Sequence, residues 1–393
     1  MIVYVVGNYK DYNTGRGGHY YSLSQMLNGI KKFKSGMVVS VGHEKPQALK
    51  FVDDSYHVHS NDPSCDVSKK IEKILIGKKV DLIHAYDYNS SITASILAER
   101  LNVPFLLTKC GGKPPRFYHP SYRNIVLFHE ADKDIFNLRL FRPKRIEVIP
   151  NRVSKVSYDK ERALSIFGRK GRYTFFKIGR IGKAYESSIR QAIVLVSMLN
   201  EIGFECQLFT IGYVENDNIL SSIKSFSEAR SGFFSFFTDE RETRNAADLL
   251  GYCDAAIATG RGAMEAISAG KIVLFPCQDS TTPCILVPET LDLALRENFS
   301  ERVVVPKNKM KYTDAEEIVK KISSSAFSGD NKFFTASIFE ELFSIERGAI
   351  RLNDYYDSII GNEINRYACV TPLGRLMQRF FVFVIGLVKR VRR

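Results

Sequence analysis

The chain has 393 residues, enough for two or three domains with ample cores, and its 45% hydrophobic and 25% charged residues exclude disorder as the main state. Its net charge of +13 is uneven: residues 1–155 carry 24 basic and 14 acidic side chains, residues 156–370 carry 26 and 29, and residues 371–393 carry six Lys or Arg and no acid. The first part and the tail therefore suit an anionic partner (nucleic acid, a membrane surface or a phosphorylated substrate), and the middle does not.

In chain order, Ile2–Gly7 reads as a buried strand, followed by a Gly-rich loop and a helix near 18–32. Further strands are expected at 36–42, 54–60, 80–87, 103–110, 124–131 and 146–153. A helix is expected over 91–101, with apolar residues at 92, 96, 97 and 101 and Ser90 or Ser91 as its cap. After a polar stretch near 154–172 the pattern restarts. Strands are expected at 173–180, 204–212, 232–238, 254–260, 271–277 and 302–306, and helices at about 186–201, 241–252 and 261–269. Residues 312–360 read as helical throughout. Strands rich in Val, Ile, Leu and Phe that alternate with helices indicate βαβ units and parallel sheets. The predicted fold class is α/β: two doubly wound, Rossmann-like domains with a cleft between them. Their expected extents are 1–156 and 157–362, followed by a tail over 363–393.

Ligands of such sheets bind beyond the carboxyl ends of the strands, so the loops that follow strands carry the interest. The first is TGRGGHYYSL, where Gly15, Gly17 and Gly18 precede a helix and His19 follows. It reads either as a ligand loop whose free amides meet an anion or as a plain Gly-rich turn. The second is TKCGGKPP, with Lys109, Gly111, Gly112 and Lys113 around Cys110. A buried, neutral thiol suits that cysteine better than a nucleophile, because no His lies beside it in sequence. The third is KIGRIGK. Gly179, Arg180 and Lys183 at a strand end suit a diphosphate, or else they are solvated surface charge.

The fourth loop, ATGRGAMEAISAGKIVLF, is the most informative. Gly260, Arg261 and Gly262 would expose amides at a helix start, continuing through Ala263 and Met264. Glu265, expected in the first turn of that helix, suits two vicinal hydroxyls of a ribose; the alternative is a carboxylate answering the helix dipole.

Taken together, these stretches resemble the GT-B glycosyltransferases, specifically the retaining family 4 group (glycosyl transferases group 1). The resemblance covers roughly residues 1–360 and rests on GRGGHYYSLSQMLNGI, VDLIHAYDYNSSITASILAERLNVPFLLTKCGG, RIEVIPNRV, KIGRIGK and DAAIATGRGAMEAISAGKIV, in the family's order. It implies an enzyme of the EC 2.4 class that uses a nucleotide-diphosphate sugar, of UDP or GDP type, with no metal and no other cofactor. It implies that Arg180, helped by Lys183, neutralises the leaving diphosphate. It implies that Glu265 binds the ribose and that Gly260 to Met264 offer amides to the phosphates. Gly17, Gly18 and Gly179 would join the donor side, and His19, Asp87, Lys109, Gly111 and Gly112 the acceptor side.

Four positions depart from the family pattern. Ile257 stands where the family's first Glu belongs, Cys110 where a His is frequent, Tyr185 where the Lys is usual and Arg152 where a Gly is usual. Two explanations follow: a subgroup with a rearranged site, or a partner subunit that binds glycan or nucleotide without turnover. An epimerase acting on a free nucleotide sugar would need acid/base groups for which His19, His84 and Asp87 are the obvious residues. His84 reads more simply as packed beside its strand. By analogy the chain is most like bacterial enzymes of capsule, exopolysaccharide or O-antigen lipopolysaccharide assembly, with a lipid-linked or oligosaccharide acceptor.

Seven scattered cysteines without a C-x-x-C pair argue against a disulfide framework and for a reducing compartment. The amino terminus carries no signal-peptide pattern. The longest apolar run, Phe380–Val388, has nine residues, whereas a spanning helix needs about 20. That run lies between Arg375 and Arg379 on one side and Lys389, Arg390, Arg392 and Arg393 on the other. It reads as an interfacial segment on an anionic membrane, or else as a packed last helix with a basic end. The expected place is the cytoplasm, peripheral on the inner face of the cytoplasmic membrane. No Trp and no recognition-helix signature leave nucleic acid unsupported.

Overall fold

The run IVYVVGN is buried along its whole length, as happens where helices cover both faces of a parallel sheet. A computed structural model describes residues 1–9, 17–60, 65–112, 122–137, 143, 145–361, 376 and 380. Gly15, Lys113 and the tail expected over 363–393 lie outside the described residues, apart from Leu376 and Phe380, which are both exposed.

The chain divides into two units: Met1–Arg152 with Ile345–Arg393, and Val153–Ser344. In the first unit the strands are β1 (Ile2–Asn8), β2 (Gly36–Gly42), β3 (Ser55–His59), β4 (Leu82–Tyr86), β5 (Phe105–Lys109), β6 (Asn124–Leu127) and β7 (Arg145–Val148). They form one parallel sheet in the order β3-β2-β1-β4-β5-β6-β7. Helices Cys65–Ile74 and Tyr88–Leu101 contribute to the core on one face, and helices Gly18–Ile30 and Ile345–Ile360 to the core on the other.

The second unit repeats the plan. β8 (Tyr173–Ile178), β9 (Cys206–Ile211), β10 (Phe233–Phe237), β11 (Ala255–Ile257), β12 (Ile272–Phe275) and β13 (Cys284–Ile285) lie in the order β10-β9-β8-β11-β12-β13. Only β13 runs antiparallel. Each sheet thus has the Rossmann order, with the chain reversing direction across the sheet between β1 and β4 and again between β8 and β11.

Several expectations are corrected. Residues 302–306 are not a strand: Val303 and Val305 are buried, and the Asp279 carboxylate, rather than a neighbouring strand, binds the Val305 amide. The expected helix 241–252 is a short turn, Glu240–Thr243, and a 3-10 segment, Ala246–Leu249, divided at Asn245 by its left-handed backbone (φ +48°). The stretch 312–360 is broken at Asp314, at Ser323–Ser324 and at Ser344. The cap of helix Tyr88–Leu101 is Asp87, whose side chain accepts from the Tyr88 amide at 2.7 Å. Ser90 and Ser91 sit inside the first turn, where Ser90 donates to the Val5 carbonyl at 2.8 Å.

The last described helix, Ile345–Ile360, packs in the first unit rather than with the second, beside which it stands in sequence. Ala349, Leu352, Tyr356 and Ile359 join the core under β1, β2 and β4. A buried chain of hydrogen bonds fixes its angle. Tyr356 donates to the Tyr4 hydroxyl at 3.0 Å, His84 Nδ1 meets Tyr356 at 2.7 Å, and His84 Nε2 meets Thr108 at 2.7 Å. Arg152, buried at the first unit's boundary, lies against the same helix at Gly348. A Cβ there would come within 2.6 Å of the Arg152 stem, so the glycine at 348 makes room for the Arg152 side chain.

Candidate functional site

Each unit presents its own cluster where the strands end, and each cluster flanks the reversal point of its sheet. In the second unit the loops after β8 and β11 are neighbours. A Cβ on Gly262 would lie 3.9 Å from the Ile178 carbonyl, the last residue of β8, immediately before Gly179 and Arg180. Gly260, at φ +49°, opens the helix Gly260–Ser268; this left-handed start suits glycine. Thr259 does not cap that helix with its side chain. The helix start can still favour an anion through its dipole, although the Gly262 amide already donates to the Thr259 carbonyl at 3.0 Å. Ala263 and Met264 are buried and anchor the turn to the core.

Arg180 is held on two sides. Its guanidinium donates to Glu215 Oε1 at 2.6 Å and to the Tyr185 hydroxyl at 2.8 Å, and its Cζ lies 4.9 Å from the Tyr185 ring centre. Tyr185, the departure at the family's Lys position, therefore acts here on the arginine itself. Lys183 is exposed in the turn between them.

Glu265 is not in the first turn, as expected, but one turn further along. There it accepts from Arg261 Nε at 2.8 Å, an i,i+4 pair on the helix. Burial pushes the Glu265 carboxyl above its ordinary range, and Arg261 pulls it back. Both proposed donor residues thus have a protein partner before any ligand arrives: Glu215 with Tyr185 for Arg180, and Arg261 for Glu265. Beside Gly260 stands Asn298, which sequence reading missed. Asn298 and Phe299 take consecutive left-handed conformations (φ +54° and +55°), and Phe299 is locked by packing against Phe275 and Phe343. Two such residues in sequence store strain that the surrounding core sustains.

In the first unit β1 and β4 are neighbours, and a Cβ on Gly7 would come within 3.1 Å of Asn89 at the start of the helix Tyr88–Leu101. Gly17 precedes and Gly18 begins the helix Gly18–Ile30, His19 lies against the Tyr20 ring with centres 3.8 Å apart, and Tyr20 donates to the Gly7 carbonyl at 3.0 Å. Asp87 has φ +80°, a strained value for a non-glycine residue at a strand end. Burial first, and then Asp87, drive the Cys110 thiol far above its ordinary pKa, so it stays protonated; that agrees with a buried, neutral cysteine. Gly111 and Gly112 (φ +92°) follow it.

Lys109 does not face solvent. It is buried, 2.7 Å from Asp132 Oδ2, with His129 Nε2 3.1 Å from the same oxygen, and it also donates to the Cys110 carbonyl at 3.0 Å. The cation therefore braces the Cys110–Gly112 loop against the helix Glu130–Asn137. His129 and Asp132 were missed in the sequence. Their signal is the i,i+3 spacing just past β6. His84 is fully buried, and burial lowers its pKa to about 3, so it is a neutral part of the core and unsuited to acid/base work.

No family model matches the chain, and no curated protein does. Solved structures do. A glycosyltransferase from Rickettsia africae is 16% identical, with a TM-score of 0.66 over 92% of this chain and 98% of that one. HepE from Anabaena, in complex with UDP, is 13% identical, with a TM-score of 0.64 over 91% and 99%. The UDP-GlcNAc 2-epimerase of Neisseria meningitidis, bound to UDP-GlcNAc, is 12% identical, with a TM-score of 0.54 over 92% and 100%. At such identities the likeness establishes the fold: two Rossmann-like domains of the GT-B type. That fold carries both sugar transfer and epimerisation, so the chemistry has to be argued from the residues.

Proposed function

We propose that this protein is a retaining glycosyltransferase of the EC 2.4 class. It moves a sugar from a nucleotide-diphosphate sugar, of UDP or GDP type, to a lipid-linked or polysaccharide acceptor in bacterial surface-polysaccharide assembly. The observation that carries this is the reversal point of the second sheet, where the Arg180 loop and the start of the helix Gly260–Ser268 lie side by side.

In this reading that helix start and Arg180 bind the diphosphate, and Glu265 leaves Arg261 to accept from the ribose hydroxyls. The acceptor oxygen bonds to the anomeric carbon as the bond from that carbon to the phosphate oxygen breaks. The acceptor proton passes to a donor phosphate oxygen, on the face from which the nucleotide leaves. The protein's share is electrostatic, because Arg180 and the helix start meet charge growing on the diphosphate. The donor charge is answered by the chain itself, so no metal or further cofactor enters. The departures at Cys110 and Tyr185 fit a rearranged site, since Tyr185 positions Arg180. The membrane side of the reading is a peripheral attachment at the inner face of the cytoplasmic membrane through the tail 363–393.

Thermal stabilisation by UDP or GDP, followed by a donor screen with linkage analysis of the product, tests it. No shift with any nucleotide, well above usual affinities, would sink the donor site. One observation favours a second reading. Ile257 is fully buried inside β11, so no carboxylate serves from the family's first Glu position. A binding subunit without turnover would then bind nucleotide but transfer nothing with any donor and acceptor pair.

A further inference from the structure

The opposite end of the first sheet has a chemistry that sugar transfer does not use. Because β1 to β4 are parallel, the connections 31–35 before β2, 50–54 before β3 and 75–81 before β4 all arrive at the strands' amino ends. Backbone hydrogen bonds join these connections to the strand starts: the Ile2 amide to Ser35 at 2.9 Å, Val38 to Asp54 at 3.0 Å and Asp81 to Met1 at 2.9 Å. With strands spaced about 4.8 Å apart, the step from β3 to β4 is about 14 Å.

On this rim three large apolar side chains stand in solvent: Phe51 at 91% exposure, Ile76 at 77% and Phe33 at 47%. Lysines flank each of them. Lys32 and Lys34 enclose Phe33, Lys50 precedes Phe51, and Lys78 and Lys79 follow Ile76. Acids are present too: Asp53 pairs with Lys31 at 3.1 Å, Asp357 with Lys34 at 2.6 Å and Asp81 with the amino terminus, while Asp54 is exposed, so the basic groups outnumber them. A protein-binding core is depleted in lysine, whereas a headgroup layer needs apolar side chains with ammonium groups beside them.

We infer that this rim is a docking surface for an anionic lipid bilayer. Phe51, Ile76 and Phe33 enter the boundary between headgroups and acyl chains, and the exposed Lys32, Lys50, Lys78 and Lys79 meet the lipid phosphates. Long lysine stems allow this, because they lie along apolar surface while the charge stays in the polar layer. The inference deepens the peripheral-membrane part of the reading above, which rested on the tail, and it does not depend on sugar transfer.

The test is co-sedimentation of the full chain with phosphatidylglycerol-containing vesicles and with phosphatidylcholine vesicles. It compares the intact chain, the combined variant Phe33→Ser, Phe51→Ser, Ile76→Ser, and a chain ending at residue 361. Expected are binding to the anionic vesicles that weakens with salt and a tenfold or greater loss in the triple variant at unchanged Tm. The shortened chain should keep the rim's share of that binding and lose only what the tail adds. Wild-type binding by the triple variant would overturn the inference, as would loss of all binding on removing the tail alone. So would sedimentation velocity showing a dimer that the triple variant splits, because the rim would then join two copies. Failure of the intact chain to bind any vesicle would remove rim and tail together and leave the nucleotide assay standing as the separate test of sugar transfer.

Discussion

Replacing Arg180 with Ala separates what this arginine does for the fold from what it does for the ligand. In the free protein it pairs with Glu215 at 2.6 Å and Tyr185 at 2.8 Å, and both members of the ion pair are substantially exposed. A screened pair of that kind contributes about 0–1 kcal/mol, and its position over the Tyr185 ring adds roughly 0.5–1. Arg180→Ala should therefore cost about 1 kcal/mol of stability, a Tm change of roughly 2–4 °C for a unit of this size. Against a diphosphate the same guanidinium makes charge-assisted bonds worth about 1.5–3 kcal/mol, or roughly 10- to 150-fold in Kd. In the transition state, where the leaving group gains charge, the loss grows to about 3–4 kcal/mol, several-hundred-fold in kcat/KM. Calorimetric titration with UDP and GDP, beside a Tm for each variant, reads both quantities. Glu215→Gln should move affinity the other way by a few-fold, since it removes a competitor for the arginine. Equal nucleotide affinity in wild type and Arg180→Ala would refute the donor-site assignment.

Glu265→Gln should weaken nucleoside diphosphates about tenfold but leave inorganic diphosphate binding unchanged, because its role is at the ribose; parallel titrations with both ligands check this. His84 has a folded pKa near 3 against an ordinary 6.5, so below 6.5 the unfolded chain takes up a proton that the native state refuses. Stability should then be intact above pH 6.5 and fall towards pH 3 by up to about 1.4 kcal/mol per unit, and His84→Gln should flatten that slope in urea melts. Lys177 is buried on β8, and its Nζ has no hydrogen-bond partner among the described residues. Burial lowers its pKa to about 8, with Glu301 opposing the shift. Below pH 8 the native state therefore carries an unfavourable charge, and Lys177→Met should raise stability at pH 7 by about 3 kcal/mol, read as a higher Tm that converges with wild type as the pH rises past 10. If the rim lies on the bilayer, the ligand end of the first sheet stands about 23 Å above it, seven residues at roughly 3.3 Å each. A lipid-linked acceptor bearing several sugars should then outpace one whose reacting sugar adjoins the headgroup, and equal rates would count against that geometry.

The strands were legible because a parallel sheet covered on both faces leaves continuous apolar runs, as in IVYVVGN, FLLTK and YTFFKI. The loops after β1, β8 and β11 were legible because glycine gathers where a strand turns into a helix. Other features leave no such trace. RVVVP has a strand's composition but no neighbouring strand, while the two residues of β13 are too few to announce themselves. The cap at Asp87 depends on a backbone angle (φ +80°) that side-chain type does not report. Tyr185 read as the loss of a lysine, when its hydroxyl in fact holds the arginine five residues before it. Lys109, Asp132 and His129 come from two separate elements, and only the fold brings them together. Nor does the pattern of Ile345–Ile360 say which unit its apolar face will join.

That helix also makes the second unit an insertion, with consequences for biosynthesis. Val153–Ser344 is one continuous piece that can fold as soon as it is made. The first unit must keep Tyr4 and His84 waiting for Tyr356, which is 352 residues after the first of them. At about 5–20 residues per second, the roughly 190 intervening residues leave part of the amino-terminal core uncovered for about 10–40 s. Nascent chains cut short before Ile345 should therefore display the apolar surface of helix Gly18–Ile30 to chaperones, and the last helix supplied as a separate peptide is the natural candidate to cover it.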